Sequence, residues 1–227
     1  MPSTLDISAL RFGYGRGFEL SVDRLVIAAG EHVLLRGPSG CGKSTLLHLV
    51  AGLECPRSGS VTVAGIDITS LSAADRDAFR GRHVGMVFQS LNLLQGFTAL
   101  ENVLMGLEFG GVPASARAHR AAEALGALGI AETGARVEEL SVGQQQRVAI
   151  ARAVAGGPAL VLADEPTASL DPANAVVAIS TIRDAARRVG AALLCTSHDP
   201  ALAPHFDRVI DMSPDGSLML GKELAAP

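Results

Sequence analysis

The chain has no tryptophan, a single tyrosine (Tyr14) and only three cysteines in 227 residues. Cys41, Cys55 and Cys195 are odd in number and lack metal-ligand spacing, which argues against a disulfide framework or a zinc site and for reduced thiols. Long hydrophobic runs are missing too: Ala191 to Cys195 is the length of a strand, far short of the roughly 18 apolar residues of a membrane span. Met1-Pro-Ser-Thr-Leu-Asp6 has neither a basic n-region nor an apolar h-region, so no secretory signal is expected and cytosolic residence follows. Nor is there a basic excess. A formal net charge of −4 argues against a nucleic-acid-coating protein, which needs cationic surface to displace phosphate counterions. The clusters Arg117, His119, Arg120 and Arg187, Arg188 read as solvated helix faces.

What is present is a hydrophobic share of 48%, ample for the core of one large α/β domain. Short apolar runs at Val33 to Leu35, Ala159 to Ala163, Ala191 to Thr196 and Val209 to Met212 alternate with helical patterns, which predicts a parallel sheet covered on both faces. Leu5 to Phe12, Phe18 to Val22 and Ser60 to Ile68 read instead as antiparallel strands of a small β-subdomain. Between Gln89 and Gly156 the period becomes helical, as in Leu100, Val103, Leu104 and Leu107, then Ala118, Ala121, Ala122, Leu125 and Leu128. An inserted α-helical subdomain is expected there, with one helix starting at the capping-box pattern Thr98-Ala-Leu-Glu101. The expected division is core and β-subdomain over about 1–90 and 157–227, with the insertion over about 91–156. Ser213-Pro-Asp-Gly216 reads as a turn joining Val209 to Met212 with Ser217 to Leu220, and the last residues as a short free tail.

Chemistry concentrates in a few segments. Gly37-Pro-Ser-Gly-Cys-Gly-Lys-Ser44 follows an apolar strand and precedes a helical run, the context of a phosphate-binding loop. Glycines Gly37, Gly40 and Gly42 let backbone amides approach phosphate oxygens, with Pro38, Ser39, Cys41 and Thr45 completing the loop. The new helix offers its positive end, Lys43 a full charge, and the Ser44 hydroxyl a ligand for Mg²⁺. Leu160-Val-Leu-Ala-Asp164-Glu165 is a buried strand ending in adjacent carboxylates that side-chain alternation turns apart, so they cannot share one role. Ser141 can cap a helix with Gln144 in the capping-box position, leaving a hydroxyl and free amides at a positive helix end. Cys41 reads either as a small residue fitting a tight loop or as a thiol inclined to ionise beside Lys43.

These motifs, with Gln89, Leu140-Ser-Val-Gly-Gln144, Ser169-Leu-Asp171 and His198 in that order, resemble the nucleotide-binding subunit of an ATP-binding-cassette (ABC) transporter over nearly the whole chain. The resemblance implies an α/β P-loop NTPase (RecA-like) core, an antiparallel β-subdomain and the helical insertion. It makes Asp164 the holder of Mg²⁺ through its water shell, Glu165 the general base or polariser of the attacking water, and His198 a contact to γ-phosphate and that water. Gln89 would join Mg²⁺ and the water to a transmembrane partner, and Tyr14 would stack on adenine, with Phe12 as rival. Ser141, Gly143 and Gln144 would face the ATP of a second copy, so that two copies sandwich two ATP molecules head to tail. Asp171 belongs to the loop that links the paired sites. The usual motif has glycine where this chain has Val142.

Phe88-Gln-Ser-Leu-Asn-Leu-Leu94 with Phe97-Thr-Ala-Leu-Glu-Asn-Val103 is similar to the branch of lipoprotein-release, macrolide-export and DevA-like ATPases. That implies a separate permease and a peripheral position on the inner face of the cell membrane. A regulator of cell-wall enzymes across the membrane, or a soluble ABC protein acting on DNA or ribosomes, is the rival reading.

Overall fold

The computed structural model describes residues 3–15 and 19–219. Strand β1 (Ser3–Phe12) pairs antiparallel with both β2 (Leu20–Ala28) and β4 (Ser58–Val63). Its buried apolar residues run Leu5, Ile7, then Leu10, Phe12, so the alternation slips by one. Ala9, at φ 48°, sits at that slip, and the register with β4 shifts between Ser8 and Arg11. This is a β-bulge, which returns both apolar pairs to one face. The second strand outruns the expected Val22 because Leu25 and Ile27 also face inward; Phe18, expected to open it, lies outside the described residues. The segment Ser60 to Ile68 is a hairpin rather than a single run. β4 and β5 (Ile66–Asp67) join through Ala64 and Gly65, both at positive φ, as a two-residue hairpin turn of the primed type requires.

The second sheet holds β3 (His32–Arg36), β6 (Val84–Val87), β7 (Leu160–Ala163), β8 (Ala192–Ser197), β9 (Arg208–Met212) and β10 (Leu218–Met219). Its order is β10-β9-β3-β8-β7-β6, all parallel except β10. The alternation of side chains divides each central strand between two cores. Val33, Leu35, Leu160, Leu162, Ala192 and Leu194 face the first, which α1 (Lys43–Val50) and the antiparallel sheet complete. Leu34, Val161, Ala163, Leu193 and Cys195 face the second, covered by α5 (Val142–Val154) and α6 (Pro172–Arg188). Double coverage explains why these strands carry continuous apolar runs, such as residues 33–35 and 192–195, rather than alternating. The expected turn at Ser213 to Gly216 closes with Gly216 N–H donating to the Ser213 carbonyl at 2.9 Å.

A third cluster gathers α3 (Ala99–Phe109), α4 (Ala114–Ala127) and one face of α5 around Val103, Leu107, Leu125, Ile130, Val137 and Val148. Thr98 caps α3 with the reciprocal Glu101 bond that its sequence predicts. In α4 the expected apolar face is narrower: Ala121 and Leu125 are buried, Ala118 and Ala122 exposed. Alanine serves either face of a helix that covers its layer with one stripe. Helix α2 (Ala73–His83) is a further element, capped by Ser72, that buries only Phe79 among its residues. Among the described residues no helix is long and apolar enough to cross a membrane.

Candidate nucleotide site

Four segments that carry the chemistry follow the carboxyl ends of four parallel strands: the glycine loop after β3, Gln89 after β6, Asp164 and Glu165 after β7, and His198 after β8. In an open α/β sheet this edge is where ligands bind. They frame a cleft of about 420 Å³ lined by Tyr14, Ser39, Gly40, Gly42, Lys43, Ser44, Thr45, Gln89, Glu165, Ala168 and His198.

The loop's shape depends on particular glycines. Gly42 caps α1 at φ 108°, a conformation closed to ordinary side chains. A Cβ on Gly37 would fall 2.7 Å from the Met212 carbonyl oxygen, so the loop can pack on β9 only without one. Beneath it Cys41 is 2% exposed, placed as core packing. Gly37 and Pro38 contribute carbonyls, which accept from Lys43 Nζ at 2.8 and 3.0 Å. Lys43 is 5% exposed, and its Nζ also lies 3.1 Å from Glu165 Oε1. A buried ammonium needs this many partners, because desolvation is otherwise too costly.

The two adjacent carboxylates do turn apart. Asp164 Oδ1 accepts from Ser44 Oγ at 3.0 Å and Thr196 Oγ1 at 2.8 Å. Glu165 instead points into the cleft between Lys43 and His198, whose Nδ1 is 3.0 Å from Oε2. Glu165 sits at φ 44°, a left-handed backbone that costs a non-glycine residue on the order of 1 kcal/mol or more. Two groups hold it there. Thr196 Oγ1 accepts from the Glu165 N–H at 2.9 Å, and the buried Gln146 of α5 donates Nε2 to the Pro166 carbonyl at 3.1 Å.

Thr196 and Gln146 do not stand out in the sequence as site residues. The available signal was a polar residue in an apolar strand for Thr196, and for Gln146 the last of three consecutive glutamines falling on the inward face of α5. Burial also pushes the Cys195 thiol pKa up, reinforced by Glu165 and Asp164, which keeps it protonated beside the acidic pair.

Tyr14 is 52% exposed at the cleft, its ring edge-on to Phe12 at 4.8 Å and its hydroxyl donating to Glu54 at 3.3 Å. Phe12 is 8% exposed and belongs to the core, so Tyr14 is the aromatic that the cleft presents. Ser141, Gly143 and Gln144 lie away from the cleft lining, at the N-terminus of α5. Ser141 Oγ accepts from Gln144 N–H at 3.3 Å, and Gln144 Oε1 accepts from Ser141 N–H at 2.9 Å. Val142 projects from the same turn, exposed. Asp171 does not line the cleft either. Its carboxylate caps α6, accepting from the Ala173 and Asn174 N–H groups, both at 3.1 Å.

A profile of the ABC transporter family matches residues 20–168. An uncharacterized ABC transporter ATP-binding protein of Mycobacterium tuberculosis is 44% identical over 192 residues, 84% of this chain. The chain spans 58% of that relative's length. The lipoprotein-releasing system ATP-binding protein LolD of Geobacter metallireducens is 44% identical over 216 residues, covering 92% of this chain and 96% of that protein. Among solved structures, the ATP-binding cassette MJ0796, determined as a dimer in a post-hydrolysis state with ADP and Pi, superposes with a TM-score of 0.82 at 31% identity. The match covers 98% of this chain and 100% of that one. CbiO1 of Clostridium perfringens, part of the ABC transporter complex CbiONQ, gives 0.87 at 27% identity, over 98% and 89%. With phosphate loop, paired carboxylates and capped helix end arranged on this frame, the chain belongs to the ABC transporter family, built as its ATP-binding cassette.

Proposed function

We propose that this chain is the ATP-binding and ATP-hydrolysing subunit of an ABC transporter, closing head to tail with a second copy to drive a separate permease. The observation that carries the reading is the chain of contacts Lys43, Glu165, His198 across one cleft floored by the glycine loop. ATP enters with adenine against Tyr14 and phosphates in the loop from Gly37 to Thr45. Lys43 then turns from the Gly37 and Pro38 carbonyls to the phosphates and leaves Glu165. Glu165 orients and polarises the attacking water, while His198 holds that carboxylate and meets the γ-phosphate.

The Ser44 hydroxyl, Asp164 and Gln89 are the residues that would hold Mg²⁺, which supplies neutralising charge at the transferred phosphate when bound. Among the described residues no three or more His, Cys, Asp or Glu side chains form a metal cluster. The oxygen donors here fit an ion that arrives with nucleotide phosphates rather than one held in a protein cage.

One copy carries a phosphate cradle and, elsewhere on its surface, a second anion-suited helix end at Ser141 and Gly143. The two serve different nucleotides when a second copy faces the first, and Asp171 then stiffens the loop between the paired sites by capping α6. ATP favours the closed pair; hydrolysis and phosphate release reopen it. A groove of about 690 Å³, lined by Phe88, Gly106, Phe109 and Arg152 among others, lies where the chain leaves Gln89 for α3. Phe109 is 72% exposed there, which suits an apolar docking segment of the permease. We take the third cluster as support for a helical subdomain over about 91–156. The likeness to lipoprotein-release ATPases points to export or mechanical work on lipoprotein, lipid or drug cargo, from the inner face of the cell membrane.

The test is affinity isolation of tagged Glu165→Gln protein from its own solubilised membranes with ATP present. Co-purification of a few-helix permease with a large outer domain supports the transporter reading. Recovery of ribosomes or DNA-repair proteins instead overturns it and leaves the ATPase assignment standing.

A further inference from the structure

Leu91 and Asn92, just after Gln89, both occupy the left-handed region, at φ 58° and 46°. Leucine has no local reason to adopt that backbone, and no glycine relieves it. The turn is tight, with Leu91 N–H donating to the Phe88 carbonyl at 3.0 Å and Asn92 N–H to the Ser90 carbonyl at 2.6 Å. Both strained residues present their carbonyls to one guanidinium. Arg152 Nη2 donates to Leu91 at 2.7 Å and Nη1 to Asn92 at 2.5 Å.

Arg152 lies in the last turn of α5, half-buried, and no carboxylate is within ion-pair distance of it among the described residues. Its stem passes Gly106 of α3, where an added Cβ would fall 3.0 Å from Arg152 Cγ. The absence of a side chain at Gly106 leaves room for the arginine to reach the turn. The planar fork matches two neighbouring carbonyls in a way that a lysine ammonium cannot.

We infer that Arg152 is a positioning residue for the reaction: it pins the left-handed turn at Leu91 and Asn92 and thereby fixes Gln89 at the rim of the nucleotide cleft. The inference rests on the reading of Gln89 given above. The same helix begins at Ser141, eleven residues and about 16 Å away at 1.5 Å per residue. Helix α5 therefore joins the surface that meets the second copy's nucleotide to the loop that carries Gln89. A shift of its N-terminus on closure moves the fork, and with it the Gln89 backbone.

The experiment compares the intact wild-type protein with Gln89→Ala, Arg152→Lys, and Arg152→Lys combined with Leu91→Gly and Asn92→Gly. It measures ATP turnover, the Kd for a fluorescent ATP analogue and thermal melting. Arg152→Lys is expected to lower kcat about tenfold with Kd unchanged. The two glycines, which adopt positive φ freely, should restore most of that loss. A purely structural arginine would lower the melting temperature but spare the kcat of the folded protein, and glycines would rescue nothing. Either of those results overturns the inference. If Gln89→Ala slows turnover while Arg152→Lys does not, the inference alone fails. If Gln89→Ala has no effect, the reading of Gln89 falls and takes the inference with it. Should Arg152→Lys not fold, Arg152→Gln, which keeps a planar donor without the charge, is judged by the same measurements.

Discussion

Lys43 Nζ lies 3.1 Å from Glu165 Oε1, with the two side chains 5% and 14% exposed. The cation of the glycine loop and the carboxylate proposed to activate water therefore neutralise each other in this structure, and under the proposed function a bound phosphate would separate them. Glu165→Gln keeps a hydrogen-bond acceptor for Lys43 but loses the base. It is expected to bind ATP normally while phosphate release falls about 100-fold or more, and to accumulate as an ATP-bound dimer by size-exclusion chromatography. Lys43→Ala should abolish nucleotide binding in a direct titration.

The Thr196 hydroxyl accepts from the Glu165 N–H and donates to Asp164 Oδ1. Thr196→Val is nearly isosteric but leaves the buried N–H without its acceptor, a loss of about 1–3 kcal/mol. Urea denaturation should show that loss, and kcat should fall further than in Thr196→Ser, which retains the hydroxyl. Equal activity in the two variants would remove Thr196 from the site.

Ser141 has both a cap to keep and, as proposed, a partner's nucleotide to meet. Ser141→Ala should cost about 1 kcal/mol of stability through the cap. In a Glu165→Gln background it should also eliminate the ATP-dependent dimer, which small-angle scattering can follow. Loss of stability with an intact dimer would leave Ser141 as a cap alone.

His32 is wholly buried, and desolvation lowers its pKa below 6.5; the Asp207 carboxylate pulls the other way, while Arg187 and Arg183 push with the burial. Below pH 6.5 the unfolded chain takes up a proton that the folded one refuses. This contribution is therefore intact above pH 6.5 and lost as pH falls from there toward the folded pKa, at a limiting slope of about 1.4 kcal/mol per pH unit. Urea titrations at pH 8, 6.5 and 5.5 should show a shallower decline for His32→Leu than for wild type.

The parallel sheet was legible because β3, β7 and β8 are short apolar runs closed by chemical motifs, and the site because those motifs lie at the strands' carboxyl ends. Thr98 and Ser141 announced their helices through reciprocal capping pairs. Helix α2 escaped notice because its one buried side chain, Phe79, leaves no apolar period to read. The bulge at Ala9 breaks the alternation of β1, and only the facing Gly59, where a Cβ would meet the Ala9 carbonyl at 2.4 Å, shows why the backbone can bend there. Arg152 and Gln146 were illegible for a different reason: their partners are main-chain carbonyls, which carry no side-chain signature.

Helix α5 gives Val148 and Ala151 to the helical cluster and Ile150, Ala153 and Val154 to the core beneath the sheet. The helical layer thus cannot open on its own without stripping apolar surface from the main body as well. Its unfolding is bound into the global transition, and the amides of α5 should be among the last in the chain to exchange with solvent deuterium.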